Sequence, residues 1–178
     1  MIGTKELLKL VKKKKLVENL CDRELQNPEG TGFDLRIGEV FKLKEGDAFL
    51  GETDRHTPET ESIAKYGKEK GFILRPGAYL LVKTMEKVNL PDNIAAIFRP
   101  RSTLQRCGIG LFTATANPGY SGELTFGMCN LGKNEVKIEM GARFAHMLFF
   151  RTGKNHSAYR GQWQHGRVST EGKKEKQV

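Results

Sequence analysis

The segment Arg99-Pro-Arg-Ser-Thr-Leu-Gln-Arg-Cys-Gly108 concentrates chemically capable side chains just beyond an apolar run. Arg101 and Arg106 flank the hydroxyls of Ser102 and Thr103, and a strand ending before them would leave backbone amides as further donors. Guanidinium forks, hydroxyls and free amides together make an anion site, because charge-assisted hydrogen bonds to phosphate or carboxylate are the strong ones. An ordinary basic turn has the same composition. A second segment, Ala116-Asn-Pro-Gly-Tyr-Ser-Gly-Glu123, combines turn residues with Tyr120, whose flat face could support a sugar or a base. Taken alone, it is equally a simple turn.

Other chemistries lack their residues. A zinc-dependent nucleobase deaminase needs a His or Cys, a Glu proton shuttle and a P-C-x-x-C pair, and the chain contains no such set. There is no G-x-S-x-G elbow, no G-x-x-x-x-G-K-[ST] loop and no strand-linked G-x-G-x-x-G. Cys21, Cys107 and Cys129 are too scattered for a disulfide framework or a structural zinc site, so no protein metal ligand is assigned.

The 178 residues carry 30 Lys and Arg against 21 Asp and Glu, a formal charge of +9, with 38% apolar residues and 20 glycines. That length and balance fit one globular domain, residues 1–178, with many turns. Much of the positive excess sits at the ends, in Lys5, Lys9 and Lys12 to Lys15 and in the stretch after Arg167. No aromatic-interleaved basic stripe accompanies it, so a nucleic-acid partner is not expected. The apolar runs 72–82 and 144–150 fall short of the roughly 18 residues a membrane helix requires, so no membrane partner is expected. The charged start, Met-Ile-Gly-Thr-Lys-Glu, does not read as a secretory signal, and the expected location is cytoplasmic.

The elements that must position these residues are mostly strands. Residues 4 to about 20 read as a helix capped by Thr4, with Leu7, Leu8, Val11, Leu16, Val17 and Leu20 near the helical period and a break near Lys15. From Gly30 onward, short apolar or alternating runs punctuated by Gly, Pro and Asn give an all-β signal. Strands are predicted over residues 34–37, 40–44, 71–74, 78–82, 94–99, 109–113, 123–130, 136–140 and 144–151. Leu124, Phe126 and Met128 share one face of their strand, and Val136, Ile138 and Met140 share one face of the next, which predicts a hairpin turning at Asn130 to Asn134. Residues 52–70 read as a surface excursion, and the lysine-rich end from Glu171 as a frayed tail unless a ligand orders it.

Five segments in sequence order change the weight of these local readings. They are Gly32-Phe-Asp-Leu-Arg36, Arg99-Pro-Arg-Ser-Thr-Leu104, the run Thr113-Ala-Thr followed by Ala116 to Glu123, Gly141-Ala-Arg-Phe-Ala-His-Met147, and Tyr159-Arg-Gly-Gln-Trp-Gln164. Together they resemble the five motifs of the dUTPase and dCTP deaminase superfamily. The N-terminal helix followed by Leu25-Gln-Asn-Pro and Phe33-Asp-Leu-Arg-Ile-Gly38 looks like its deaminase-type branch, which includes archaeal dUTPases and bifunctional enzymes. The resemblance implies a distorted jelly-roll β-barrel with a short N-terminal helix (1–20), a β core (30–151) and a C-terminal lid (152–178). It also implies a homotrimer with active sites between subunits, and a magnesium-bound deoxynucleoside triphosphate as substrate.

Carried over by position, Arg101, Ser102, Thr103 and Arg106 would hold phosphate oxygens. Tyr120 would pack against the deoxyribose, leaving no room for a 2′-hydroxyl. Backbone groups from Thr113 and Ala114 to Tyr120 would read the pyrimidine edge, and Tyr159, Trp163 and Gln164 would close over the ligand. Hydrolysis of dUTP to dUMP and pyrophosphate needs charge neutralisation on the triphosphate and one positioned water at the α-phosphorus.

The chain departs from the family pattern at three positions. Asn117 stands where dUTPases carry the aspartate that polarises the water; an amide can orient that water but cannot take its proton, forfeiting a general-base effect of about 10²- to 10⁴-fold. Gly127 stands where the deaminases carry a proton-shuttling glutamate. His146 replaces a common glutamine, as a packed or a ligand-facing histidine, and the other nearby carboxylates, Asp34 and Glu123, read as structural. The expected function is a dUTP diphosphatase with Asn117 at the catalytic position; the alternatives are a catalytically inactive deoxynucleotide-binding or sensing homologue, or a dCTP deaminase.

Overall fold

The computed structural model describes residues 1–153 and 157–177, with 44% of the chain in strands and 14% in helix. Helix α1 (Thr4–Lys14) ends where Lys15 takes a left-handed φ of 51°. Its last turn is basic, which suits the negative end of the helix dipole. The predicted helix through residue 20 therefore stops at Lys14, and the chain continues into β1 (Val17–Glu18) and α2 (Asp22–Gln26). Thr4 does not cap α1; Gly3 holds the N-cap position without a side-chain bond. Burial decides where this segment lies, since Leu7, Leu16 and Val17 are inaccessible and the Ile2 amide donates to the Phe149 carbonyl at 2.8 Å.

Thereafter come β2 (Gly32–Leu43), β3 (Phe49–Leu50), β4 (Asp54–His56), β5 (Thr60–Lys65), β6 (Gly71–Leu74), β7 (Tyr79–Asn89) and β8 (Ile94–Pro100). A short helix α3 (Ser102–Arg106) precedes β9 (Ile109–Phe112), β10 (Ser121–Asn130), β11 (Val136–Glu139), β12 (Arg143–Arg151) and β13 (Glu175–Lys176). The main sheet has the order β8-β12-β2-β7-β10-β9, antiparallel throughout, with β1 added to β7 and β5 to β2. It forms a nearly closed, barrel-like sheet, as the all-β jelly-roll expectation required. Alternation along β7 puts Leu80, Val82 and Val88 inside, against Leu124, Phe126 and Met128 of β10. Phe126 meets Phe98 and Phe144 edge-on, with ring centroids 5.0 and 5.4 Å apart. Glu86 also faces this interior and is fully buried, where the Arg36 Nε donates to it at 2.7 Å and the Arg36 amide at 2.8 Å.

Three further sequence expectations are corrected. The predicted hairpin of β10 and β11 does not form: β10 is already paired on both edges, with β7 and β9, and β11 pairs with β6 in a separate two-stranded sheet. Asn130 turns the chain between them, its Nδ2 donating to the carbonyls of Leu74 (2.8 Å) and Asn134 (2.9 Å). The 52–70 stretch is not merely a surface excursion, because β5 joins the main sheet beside β2. The tail is tied down rather than frayed. Strand β13 pairs with β4, Ser169 and Thr170 are buried, and Thr170 exchanges hydrogen bonds with Thr57. Residues 154–156 and 178 of the expected lid lie outside the described residues.

Candidate functional site

Two cavities hold most of the residues singled out by the sequence. The first, about 310 Å³, is lined by Phe98, Ala114, Tyr120, Thr125, Tyr159 and Trp163 among others. Tyr120 closes the turn from the exposed 113–115 stretch into β10 and is 8% exposed; its hydroxyl donates to the Glu123 carbonyl at 2.6 Å, and burial pushes its phenol up to about 12. Tyr159 packs edge-on against it at 5.5 Å, and the Tyr159 amide donates to the Pro118 carbonyl. Gln164 spans the turn, accepting from the Ser121 amide at 2.9 Å and donating to the Gly119 carbonyl at 3.0 Å. Close approach here depends on Gly122 (φ 146°), where a Cβ would lie 2.4 Å from the Gly166 amide nitrogen. The guanidiniums of Arg55 (4.5 Å) and Arg167 (5.5 Å) lie over the Trp163 ring, and both arginines are paired with Glu175 of β13. The expected lid residues thus sit on the Tyr120 turn of their own chain.

The second cavity, about 280 Å³, is lined by Glu29, Gly30, Asp34, Arg101, Ser102 and His146. Its hub is Asp34 on β2, 4% exposed and paired with Arg101, with Arg143 at 2.9 Å and with His146 Nδ1 at 2.8 Å; Arg23 stands 3.7 Å away. Register explains the convergence, since His146 of β12 lies directly opposite Asp34 on one side and Arg99 of β8 on the other. Glu24, 1% exposed, accepts the Asp34 amide at 3.1 Å and pairs with Arg23. Burial and the neighbouring Arg143 and Arg23 charges push Arg101 below its ordinary value, which leaves a guanidinium protonated throughout the physiological range. Burial likewise pushes His146 down, opposed by Glu24 and Glu29 and reinforced by Arg101.

The expected site residues are only partly united. Arg101 and Ser102 share the second cavity, whereas Tyr120, Ala114, Tyr159 and Trp163 share the first, and no lining residue is common to both. Thr103 and Arg106 line neither; both are exposed, and Arg106 turns back to donate to the Ser102 carbonyl at 3.2 Å. Thr113 and Asn117 are exposed beside the first cavity's wall, and Asn117 engages Tyr120 only through its backbone. Strand β8 connects the two cavities, contributing Phe98 to one and leading to Arg101 in the other. Thr125, Asp34, Arg143, Arg55 and Arg167 were not assigned site roles from the sequence. Asp34 and Arg143 lie within the first and fourth motif segments, but their meeting, like that of Arg55 and Arg167, depends on tertiary pairing that the sequence does not state. The Thr125 hydroxyl is buried at the first cavity without a partner. Among the described residues no group of three or more His, Cys, Asp or Glu side chains is placed to hold a metal ion.

The profile of the dCTP deaminase-like family matches residues 1–152. The chain belongs to the dCTP deaminase-like family. Members similar to it include a "dCTP deaminase, dUMP-forming" from Dictyoglomus turgidum, 31% identical over 156 residues that cover 85% of this chain and 80% of that one. A "probable deoxyuridine 5′-triphosphate nucleotidohydrolase" from Methanosarcina mazei is 32% identical over 152 residues, covering 84% of this chain and 87% of that one. Among solved structures, the 2′-deoxycytidine 5′-triphosphate deaminase from Agrobacterium tumefaciens shares the fold at a TM-score of 0.65 and 17% identity, over 85% of this chain. This chain spans about half of that one, 48%. Relatives in this dCTP deaminase-like family are thus named for two reactions, deamination of dCTP and hydrolysis of dUTP.

A Cβ on Gly127 would lie 2.3 Å from the Tyr79 hydroxyl, so the place expected for a shuttling carboxylate is filled by a phenol from the neighbouring strand.

Proposed function

We propose that this chain is a dUTP diphosphatase that releases dUMP and pyrophosphate, with deaminase chemistry removed. One observation carries the choice between the two family reactions: Gly127 has no side chain and Tyr79 occupies the space beside it. A phenol whose burial raises it further above its ordinary value is a poor proton shuttle at neutral pH.

The hydrolytic parts fit the two cavities. Arg101 and Ser102 bind phosphate oxygens, the arginine exchanging Asp34 for the incoming anion. Tyr120 forms the wall against the sugar, and the Thr125 hydroxyl offers the base a polar partner that the protein itself leaves unused. Asn117 orients the attacking water through its amide. Because the phosphate and sugar groups lie in separate cavities of one chain, the reading calls for cavities of adjoining copies to face each other, as in a homotrimer. Magnesium enters with the triphosphate as part of the substrate, held by phosphate oxygens and water, as suits an ion that keeps its waters and leans on substrate phosphates.

The test compares pyrophosphate release from dUTP with magnesium, and ammonia release from dCTP, for the wild-type chain and Asn117→Asp. Pyrophosphate release that rises by about 10²- to 10⁴-fold with the aspartate, without ammonia from either protein, is the expected result. Absence of pyrophosphate from both proteins, or ammonia from dCTP, overturns it. The second reading, a deoxynucleotide-binding homologue without catalysis, is favoured by the neutral amide at 117 and would be marked by tight dUTP binding with no product from the wild type.

A further inference from the structure

We propose that His146 engages the substrate's phosphates as an imidazolium, taking a proton from solvent as the anion enters, with Asp34 fixing the ring so that the proton lands on Nε2. This deepens the reading that the Arg101 cavity accepts the triphosphate and rests on it.

The geometry fixes which nitrogen is available. His146 Nδ1 lies 2.8 Å from Asp34 Oδ1, so the neutral ring places its hydrogen on Nδ1 toward the carboxylate and leaves the lone pair on Nε2. That end of the ring stands beside Gly32, where an added Cβ would lie 3.0 Å from Nε2. The side chain is 25% exposed and lines the same cavity as Arg101 and Ser102.

Charge then decides when the proton arrives. The groups that surround the ring are Asp34 from β2, Arg99 from the end of β8, Arg101 from the N-cap of α3, Arg143 from its own strand, Arg23 and Glu24 from α2, and Glu29 from the loop before β2. Arg99 and Glu29 are both exposed to solvent, and with or without this pair the guanidiniums outnumber the carboxylates by one. Before an anion enters, the cavity therefore already carries positive charge, which favours an uncharged His146. Burial keeps it so. A triphosphate adds several negative charges at once, which favours the protonated ring. The proton passes from buffer to Nε2, no covalent bond of the substrate changes, and the cavity gains a third kind of donor beside guanidinium and hydroxyl. A glutamine at this position could donate a hydrogen bond but could not supply charge on demand.

Isothermal titration calorimetry with inorganic triphosphate, near pH 7 and in buffers of different ionisation enthalpy, reads the protons taken up. Wild type is expected to take up more protons than His146→Gln, by up to about one per site; protonation of the ligand itself cancels in the difference. In the wild type alone, the His146 ring resonance followed by NMR is expected to titrate at higher pH when triphosphate is added. Equal proton uptake by the two proteins, or a ring titration that does not move, overturns the role of His146 and leaves the phosphate cavity standing. Failure of triphosphate to bind the wild type overturns both.

Discussion

The hydroxyl of Tyr79 stands 2.3 Å from where a Cβ on residue 127 would be, so glycine at 127 and tyrosine at 79 are a matched pair across β7 and β10. Introducing a carboxylate at 127 therefore has a steric cost before it has a chemical effect. Gly127→Glu alone is expected to lose about 1–3 kcal/mol of stability and to yield no ammonia from dCTP. Adding Tyr79→Ala should recover much of that loss. Urea denaturation of the single and double variants checks the coupling, and additive effects would refute it.

Trp163 is the chain's single tryptophan, so its fluorescence reports the C-terminal segment without interference. Arg55→Ala removes one of the two guanidiniums over the ring together with bonds to Gln162 and Glu175. The expected result is a red-shifted emission and loss of about 0.5–2 kcal/mol from the seating of this segment. An unchanged spectrum would mean that Arg167 and the Gln164 contacts suffice.

Glu86 and Arg36 form the most deeply buried ion pair among the described residues, with the carboxylate inaccessible to solvent. Glu86→Ala leaves the Arg36 Nε and amide without their acceptor, while the far end of the guanidinium keeps the Asn19 carbonyl. A loss of about 3–5 kcal/mol is expected, read as a lowered denaturation midpoint. A change under about 1 kcal/mol would show that water replaces the carboxylate.

Acid should weaken the fold through His146. Burial holds its folded value below the ordinary one, so on acidification the unfolded chain takes up the proton first, from about pH 6.5 downward. The stability that His146 contributes as a neutral ring is present above that pH and is lost as pH falls toward the folded value. Chemical denaturation at a series of pH values should show this slope in the wild type and a shallower one in His146→Gln.

Much of the candidate site was legible because its residues advertise themselves locally. Arg101 and Ser102 do follow a strand and line one cavity, and Tyr120 does sit in a Pro-Gly turn at the other. What remained hidden was pairing at long range. The alternation of Leu124, Phe126 and Met128 names a buried face, but nothing in that pattern states that both edges of β10 are already taken by β7 and β9, which excludes the expected hairpin. The lysine-rich tail looked mobile because its anchors, Thr57 and the strand Asp54–His56, lie more than a hundred residues earlier. Asp34 likewise reads as an ordinary strand carboxylate until register brings His146 beside it and α3 presents Arg101.

The Tyr120 ring is held at both ends, its hydroxyl on the Glu123 carbonyl and its edge on Tyr159. The rotamer that a sugar would meet is thereby selected during folding, and a guest need not freeze it. Such a rigid wall spares association the entropy of ordering an aromatic side chain, which favours slow departure of a guest whose outline fits and rapid loss of one that carries an extra hydroxyl.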